Sequence, residues 1–417
     1  MFGDTFENKI KNICLSKKRI KNIVVKCFLS FVFVLLVFSC GWTSQIDGER
    51  TEEEITADIS GQIENQLENL DFGNLDEILK NMSLDEKKIF GRERFVEKVK
   101  MIISGEFKGL GENAIDVLLS LTFDNLISLL PIMASILAIG IISGMLGQIR
   151  SATSAKNLGD IIHFACFGVV LIIVTTLVLK ILNSTSQSLT IIKSQIDIIF
   201  PILLTLLTAV GGNVSVSVYQ PAIAVLSGSI MQIFNYVLVP VFIFSFVFSI
   251  VSNLSKSVKL DKFTSFFNSL FKYIIGTIFT VFLAFISIQG ITAGSIDGIS
   301  AKTAKFALKS YIPILGGYLA DGLNVIVASS VLIKNAVGAC GLLLIFCTIL
   351  SPIISIVLFS LLLKLTASVL EPLSDGRIAN FLFGVSKNMT MLIVIIIGFS
   401  FMFLLLCALI MCSANFV

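Results

Sequence analysis

The chain has 417 residues, of which 55% are hydrophobic and 14% are charged, and its mean hydropathy is +0.94. Soluble domains carry about a quarter charged residues, so this composition excludes an ordinary soluble protein and indicates a polytopic membrane protein. The net charge of +3 sums a basic N-terminus, an acidic segment and scattered lysines, and it leaves no basic surface for nucleic acid. None of the eight cysteines forms a CxxC pair, so we expect no metal site and no cofactor.

Residues 1–40 have the layout of a secretory signal sequence. Basic residues precede an apolar run from 28 to 39 that is shorter than the roughly 20 residues of a spanning helix. The small residues that follow, Ser39, Cys40 and Gly41, indicate a processing zone. An uncleaved anchor is the alternative. Either reading places the following segment outside the cytoplasm.

Residues 41–113 predict an extracytoplasmic, acidic helical segment. Thr51 to Glu54 and Ser83 to Glu86 both fit the capping-box pattern that starts helices. After the first box, apolar residues from Ile55 to Leu70 recur at helical spacing and form one stripe. A segment this short buries little core by itself, so the stripe should pack on a neighbouring helix, on the membrane domain or on a partner.

The membrane domain is predicted to cover residues 114–417. Residues 114–130 are interfacial or lead into a span over 127–146, and residues 161–182 cross back. Arg150 and Lys156 place the intervening loop in the cytoplasm. The single histidine, His163, has no cluster of ligands near it in sequence and is expected to be structural.

The next stretch, 198–218, contains Pro201 and the Gly211-Gly212 pair, and a span over 234–251 with Pro240 inside follows it. Lys256, Lys259 and Lys262 come next, before a span over 273–290. If these lysines are cytoplasmic, the stretch around Gly211 has to return to its own side. That favours a re-entrant hairpin.

Residues 302–340 place Pro313, Gly316-Gly317, Asp321 and Asn324 inside an otherwise apolar run. A broken segment at membrane depth is stable only inside protein or beside water, and an acid there needs a partner or water. Asp321 is therefore expected to face an interior or a cavity. A short extramembrane turn between two helices is the alternative.

The C-terminal part continues with residues 341–365, which contain Pro352 and predict a long kinked helix or two half-helices. A polar break over 371–377 then precedes a last span over 389–412.

An internal duplication is indicated by matched prolines. Pro201 and Pro240 are 39 residues apart, as are Pro313 and Pro352, which predicts repeats over 190–290 and 302–402. Chance similarity between apolar sequences is the alternative. Discontinuous segments at matching positions of two repeats point to a transport site. The candidate transport-path residues are Gly211, Gly212, Asn213, Gly316, Gly317, Asp321 and Asn324, and the helix-break candidates are Pro201, Pro240, Pro313 and Pro352.

The C-terminal half resembles the stage III sporulation protein AE family of endospore-forming bacteria. The resemblance is carried by residues 302–307, 313–317, 332–338 (LIKNAVG) and 370–378 (LEPLSDGRI). It implies a multi-pass subunit, in the mother-cell membrane around the forespore, of a channel or secretion-like complex. The implied partners are the other proteins of the same operon, including a secretion-type ATPase and ring-forming subunits, and a forespore membrane protein.

Two functions are thus expected from an all-α, polytopic membrane protein with broken or re-entrant helices. In the first, the chain contributes to a transport path or export gate. In the second, it is a membrane scaffold for assembly and does not itself conduct. No HExxH, GxSxG or Walker A motif is present, so we expect no enzyme activity and assign any ATP hydrolysis to a partner.

Overall fold

The computed structural model describes residues 61–413 apart from gaps at 71, 83–86, 88–89, 92, 106–113, 153–155, 255–259, 312–314 and 374–375. The predicted signal sequence and both predicted capping boxes, at 51–54 and 83–86, lie outside the described residues. Every regular element in the described ranges is helical, which confirms the all-α class.

The first described part is helical at 61–68 (α1), Gly73–Asn81 (α2) and Phe95–Ile103 (α3), and also at Lys87 and Phe90. Asp76 joins α2 to α3, because its carboxylate accepts hydrogen bonds from the Arg94 side chain at 3.0 Å and from the Phe95 N–H at 3.1 Å. The rings of Phe72 and Phe95 pack 5.6 Å apart beside this contact. These contacts hold α2 against α3.

The membrane domain is built from much longer helices. They are Ala114–Ala152 (α4), Lys156–Ala209 (α5), Asn213–Ile233 (α6), Val239–Leu254 (α7), Asp261–Tyr311 (α8), Leu315–Leu370 (α9) and Arg377–Cys412 (α10). A π-helical turn, Phe234–Leu238, joins α6 to α7 without a loop. Within the described residues, six helical segments are long and apolar enough to cross a membrane, with α6 and α7 counting as one. The chain is a multi-pass membrane protein.

The predicted break at Pro201 is corrected by the structure, because α5 continues through it. α9 continues through Pro352, which agrees with the long-helix alternative predicted there. Proline removes one backbone hydrogen bond, and packing of the flanking turns holds the helix together around it. Pro240 follows the π-helical turn directly, so the backbone widens there and does not break. Pro313 lies outside the described residues.

The continuity of α5 also changes the argument for a re-entrant hairpin. Residues 161–182 and the start of the 198–218 stretch belong to this single helix. If α5 crosses once and α6 with α7 returns, the chain comes back to the side on which α5 began. The glycine break at 210–212 is present, but the direction of the chain no longer requires a segment that returns to its own side.

α10 lies at the centre of the bundle and packs against α5, α7, α8 and α9. The rings of Phe200 on α5 and Phe403 on α10 are 5.0 Å apart, and Phe167 and Phe381 pack in the same way at 5.3 Å. More than half of the most apolar window of α10 is buried. The core of the membrane domain is therefore formed around α10.

A layer of buried and half-buried polar side chains crosses the bundle and joins five helices. The Asn388 Oδ1 on α10 accepts hydrogen bonds from Ser245 on α7 at 3.2 Å and from Asn268 on α8 at 3.4 Å. Ser386 and Ser360 exchange hydrogen bonds between α10 and α9, and Ser355 on α9 donates to Asn125 on α4 at 2.9 Å. We call these residues the Asn388 layer.

The predicted duplication remains a prediction. Pro201 and Pro313 are 112 residues apart. When 112 is added to the residue numbers of the break between α7 and α8, the result falls within a few residues of the break between α9 and α10. The same shift carries the turn at Gly211 into the continuous helix α9. The two segments therefore share a helix, a break and a second helix, and they differ at the glycine turn.

Candidate functional site

The Gly211-Gly212 pair forms the tight turn between α5 and α6. Gly211 has a φ of +94°, a backbone conformation that side chains other than glycine rarely adopt. The N–H groups of Gly211 and Gly212 donate to the carbonyls of Thr208 and Leu207, both at 2.9 Å. A Cβ at Gly212 would lie 2.7 Å from a Leu207 methyl group. Both glycines are therefore explained by the turn itself.

Asp297 of α8 covers the start of α6 directly after this turn. Its two carboxylate oxygens accept the backbone N–H groups of Val214 and Ser215, each at 2.9 Å, and the residue is 1% exposed. The N-terminus of a helix carries unpaired N–H donors and a partial positive charge, which suits a carboxylate. Sequence reasoning missed Asp297. Its only trace was an acid in the small-residue run Gly294 to Ser300.

A buried lysine binds the C-terminal end of α10, as Asp297 binds the N-terminal end of α6. The Lys334 Nζ on α9 donates to the backbone carbonyl of Ser413, the residue that follows α10. The Ser413 hydroxyl also lies 2.9 Å from the Tyr219 hydroxyl on α6, one helical turn after Ser215. Lys334 and Tyr219 are 0% and 2% exposed. Lys334 belongs to the LIKNAVG motif that carries the family resemblance.

These residues, Asp297, Ser215, Tyr219, Ser413 and Lys334, form what we call the helix-end cluster. A negative side chain lies at the positive end of one helix, and a positive side chain lies at the negative end of another. Each buried charge is thereby compensated locally, and each joins two helices distant in sequence. The cluster is suited to holding helix ends in place. Among the described residues, no group of three His, Cys, Asp or Glu side chains could hold a metal ion.

The other predicted path residues lie on α9. Gly316 and Gly317 are in its first turn, and Asp321 and Asn324 follow within the same continuous helix. Asn324 is partly exposed, and the side chain of Asp321 is outside the described residues. None of the described contacts joins these residues to Gly211, Gly212 or Asn213. Asn213, the first residue of α6, is exposed.

A second feature that sequence reasoning missed is a polar stripe along α5. Its outward positions recur every three or four residues, as helical geometry requires for one face. Pro201 occupies one of these positions, and the others are polar. They are Asn183, Gln187, Thr190, Ser194, Asp197, Thr205 and Thr208. The antiparallel helix α6 and the π-helical turn expose further polar residues, Asn213, Ser217, Gln220, Gln232 and Asn235, with exposed Ala224 and Val225 between them. We call the two stripes together the polar face.

One ion pair interrupts the otherwise uncharged polar face. The Lys193 ammonium lies 2.6 Å from the Asp197 carboxylate one turn further along α5. Asp197 also accepts a hydrogen bond from Ser227 of α6, and the Thr190 hydroxyl contacts the Met231 sulfur at 3.8 Å. These contacts hold α5 against α6 and place both stripes on one surface.

The N-terminal helices dock on α9. The Gln66 side chain of α1 donates to the Ser329 hydroxyl at 3.1 Å and accepts from the Ser330 hydroxyl at 3.0 Å, and both serines are buried. Leu67, from the predicted apolar stripe, is 3% exposed. The contact with α9 agrees with packing of this segment on the membrane domain, and Ile55 and Ile59 of the stripe lie outside the described residues.

Comparison with known proteins agrees with this architecture. A curated protein of Bacillus subtilis (strain 168), "Stage III sporulation protein AE", is 25% identical over 313 residues, which cover 75% of this chain and 78% of the relative. No solved structure matches the chain. The sequence pattern of the family described as Stage III sporulation protein AE matches residues 94–414, from the start of α3 to the end of α10. The chain therefore belongs to the stage III sporulation protein AE family.

Proposed function

We propose that this sporulation membrane protein is a subunit of a channel or secretion-like complex between mother cell and forespore, and that it contributes one wall of the transport path. The wall is the polar face of α5 and α6. The proposal places the chain in the mother-cell membrane around the forespore. It gives the chain no enzymatic step.

The composition of the polar face carries this proposal. Protein surfaces in bulk water carry about 25 to 35% charged residues. Residues 183–209 contain only Lys193 and Asp197 as charged residues, and the two are paired. Lipid contact is equally unsuitable, because amide and hydroxyl groups lose their hydrogen bonds to water there. A confined, water-filled path is an environment that suits both the polar side chains of this face and its low content of charged residues.

Because the bundle is filled around α10, we place the path along the outside of this chain and not through its centre. Its core positions are filled by Phe381, Phe403 and the Asn388 layer, which close the contacts among α5, α7, α8 and α9. A path lined by the polar face therefore needs further walls. The partners proposed for them are proteins of the same operon, including ring-forming subunits, with a secretion-type ATPase as energy source and a forespore membrane protein opposite.

The test adds bulky side chains to the polar face and measures the entry of a small solute into the forespore. Gln187→Trp and Thr190→Trp place bulk on the polar face, while Ile172→Trp does the same at an exposed apolar position of the same helix. In sporulating cells we expect the first two variants to lower entry of a small fluorescent solute into the forespore, and Ile172→Trp to leave it unchanged. Normal entry with all three variants would contradict the proposed path.

The second candidate, an assembly scaffold, is favoured by one observation. The exported helices are fixed to α9 through Gln66, Ser329 and Ser330, so an extracytoplasmic surface is held rigidly on the membrane domain. Gln66→Leu should loosen this surface without touching the polar face. If Gln66→Leu abolishes co-purification of partners while Gln187→Trp and Thr190→Trp have no effect on solute entry, the scaffold function is supported over the path.

A further inference from the structure

We propose that a second copy of this chain binds beside the first, with α4 of one copy against α8 of the next. The contact pairs the carboxylate of Asp124 on α4 with the ammonium of Lys272 on α8. A second copy is not among the partners of the proposed function, and this inference does not rest on that function.

α4 and α8 are the two least buried of the six spanning segments. α4 packs on α5 and α9, whereas α8 packs on α6, α7, α9 and α10. In the part of the chain that the structure describes, each helix therefore leaves a long face uncovered. Since the two helices pack mostly on different neighbours, the two faces belong to different sides of the bundle.

Each uncovered face carries a charged side chain away from the ends of its spanning segment. Asp124 lies within Asp116–Leu146, Lys272 lies within Lys262–Ser287, and both residues are exposed. Among the described residues, neither takes part in an ion pair. Charged side chains within spanning segments usually face protein and pair with one another. Each face is thus suited to a partner of the opposite charge.

The level of Asp124 can be read from the contact between α4 and α9, which run in the same direction. Asn125 accepts a hydrogen bond from Ser355 of α9 at 2.9 Å. Ser355 lies five residues from Ser360 in the direction of the start of α9, which we call outward, and Asp124 lies one residue outward from Asn125. Asp124 is therefore about 9 Å outward from Ser360, at 1.5 Å per residue.

The level of Lys272 follows from the same serine through α10. Ser360 is hydrogen-bonded to Ser386, and α10 and α8 both run outward from there. Asn388, two residues outward, accepts a hydrogen bond from Asn268 of α8 at 3.4 Å, and Lys272 lies four residues further outward. This separation is also about 9 Å. The two opposite charges lie at one level of the bundle.

Equal levels make two copies of the chain complementary. Copies in one membrane share their orientation, so α4 of one copy and α8 of the next can lie side by side with Asp124 opposite Lys272. Because each copy offers α4 on one side and α8 on another, the contact is head-to-tail. Repeated head-to-tail contacts form a ring when the rotation between copies closes.

Small residues on both faces suit close helix packing. Ser128 and Ser135 are exposed on α4, and Ser269 and Thr280 are exposed on α8. Each of these hydroxyls donates to a carbonyl of its own helix, so a second copy can cover it without leaving it unpaired. Interfaces between membrane helices are enriched in small residues of this kind, because they let the backbones approach closely.

Large apolar and aromatic side chains flank both charges and provide the area that an interface buries. Four of them are more than half exposed, namely Phe123, Ile127, Phe266 and Tyr273. Exposed apolar patches with a polar group among them are typical of surfaces that bind protein. Aromatic residues are enriched in such interfaces.

The test exchanges the two charges in the full chain. Two copies with different epitope tags are produced in one cell, solubilised in mild detergent and purified through one tag, and the second tag is measured. Asp124→Lys and Lys272→Asp each place like charges in the contact and should lower co-purification with their own kind by roughly tenfold or more. The two variants produced together should co-purify, because every contact between them again joins opposite charges.

Controls separate this contact from charge in general. Asp116→Lys and Lys387→Asp reverse exposed charges elsewhere and should leave co-purification unchanged. Separated monomers of all variants should keep the unfolding midpoint of the unchanged chain, and Asp124→Asn, with a smaller expected loss, replaces Asp124→Lys if that variant fails to fold. No co-purification of the unchanged chain, no loss in the single variants, or no recovery in the mixture of folded variants would overturn the proposal.

Discussion

Asp297 and Ser215 are 82 residues apart in sequence, yet a carboxylate oxygen of Asp297 accepts the backbone N–H of Ser215 at 2.9 Å. The second oxygen accepts the N–H of Val214 at the same distance. One buried side chain on α8 thus supplies the cap that α6 lacks in its own sequence, since Gly212 has no side chain to cap the helix.

Asp297→Ala should lower the stability of the membrane domain. Two buried N–H donors lose their acceptor, and hydrogen bonds to a charged group contribute about 1.5 to 3 kcal/mol each. We expect a lower thermal unfolding midpoint in detergent, and a smaller decrease for Asp297→Asn, which keeps one acceptor oxygen. Asp124, an exposed aspartate of α4, provides the control variant Asp124→Ala. Equal midpoints for Asp297→Ala and Asp124→Ala would show that the cap contributes nothing.

Gly211→Ala should strain the turn between α5 and α6. The positive φ of +94° at this position is unfavourable for alanine, typically by about 1 to 2 kcal/mol. Gly228 is a matched control on α6, because it is helical and a Cβ there would meet nothing within 4 Å. Gly228→Ala should be neutral or stabilising by up to about 1 kcal/mol. The difference is measured as the shift in unfolding midpoint, and the same shift for both variants would contradict the role of the turn.

The sequence predicts what depends on local pattern. Apolar runs identified the spanning helices, and the Gly211-Gly212 pair identified the turn, because length and glycine content act within a few residues. Pro201 misled for the same reason. Taken locally it suggests a break, but the packed turns on either side keep α5 continuous.

The helix-end cluster and the polar face could not be found in this way. Asp297 is meaningful only once α8 is known to pass the start of α6, and Lys334 only once α9 meets the end of α10. The polar residues of α5 share one face only if the helix runs unbroken from Asn183 to Thr208. These features depend on contacts between helices that are far apart in the chain. A single sequence does not show which helices are in contact.

Lys334→Met should release the C-terminal end of α10. The Ser413 carbonyl would lose a charged donor inside the bundle, with an expected loss of about 1.5 to 3 kcal/mol. Tyr219→Phe removes a neutral hydrogen bond to the same residue and should cost about 1 kcal/mol. Faster hydrogen exchange over residues 405–413 is the measurement. Lys387→Met, at an exposed position of α10, is the control and should leave exchange unchanged.

The docking of α3 should depend on pH through Glu93. Its own backbone N–H lowers the pKa of the Glu93 carboxyl, and Lys98, whose ammonium lies 3.2 Å away, lowers it further against the opposing effect of partial burial. A pKa that is lower in the folded state stabilises above the unfolded value, about 4.3 for glutamate, and this contribution is lost as the pH falls through the folded value. Docking should therefore be constant between about pH 6 and 8 and weaken below about pH 4.

The pH dependence of docking can be measured by hydrogen exchange of Phe95–Ile103, corrected for the intrinsic rate at each pH. Glu93→Gln cannot lose a charge, so its protection should be lower at neutral pH and the step below about pH 4 should shrink. Lys98 stays buried in both variants, with its ammonium 5.5 Å from the centre of the Phe90 ring, so its packing serves as an internal control. An unchanged acidic step in Glu93→Gln would mean that another carboxylate controls the docking of α3.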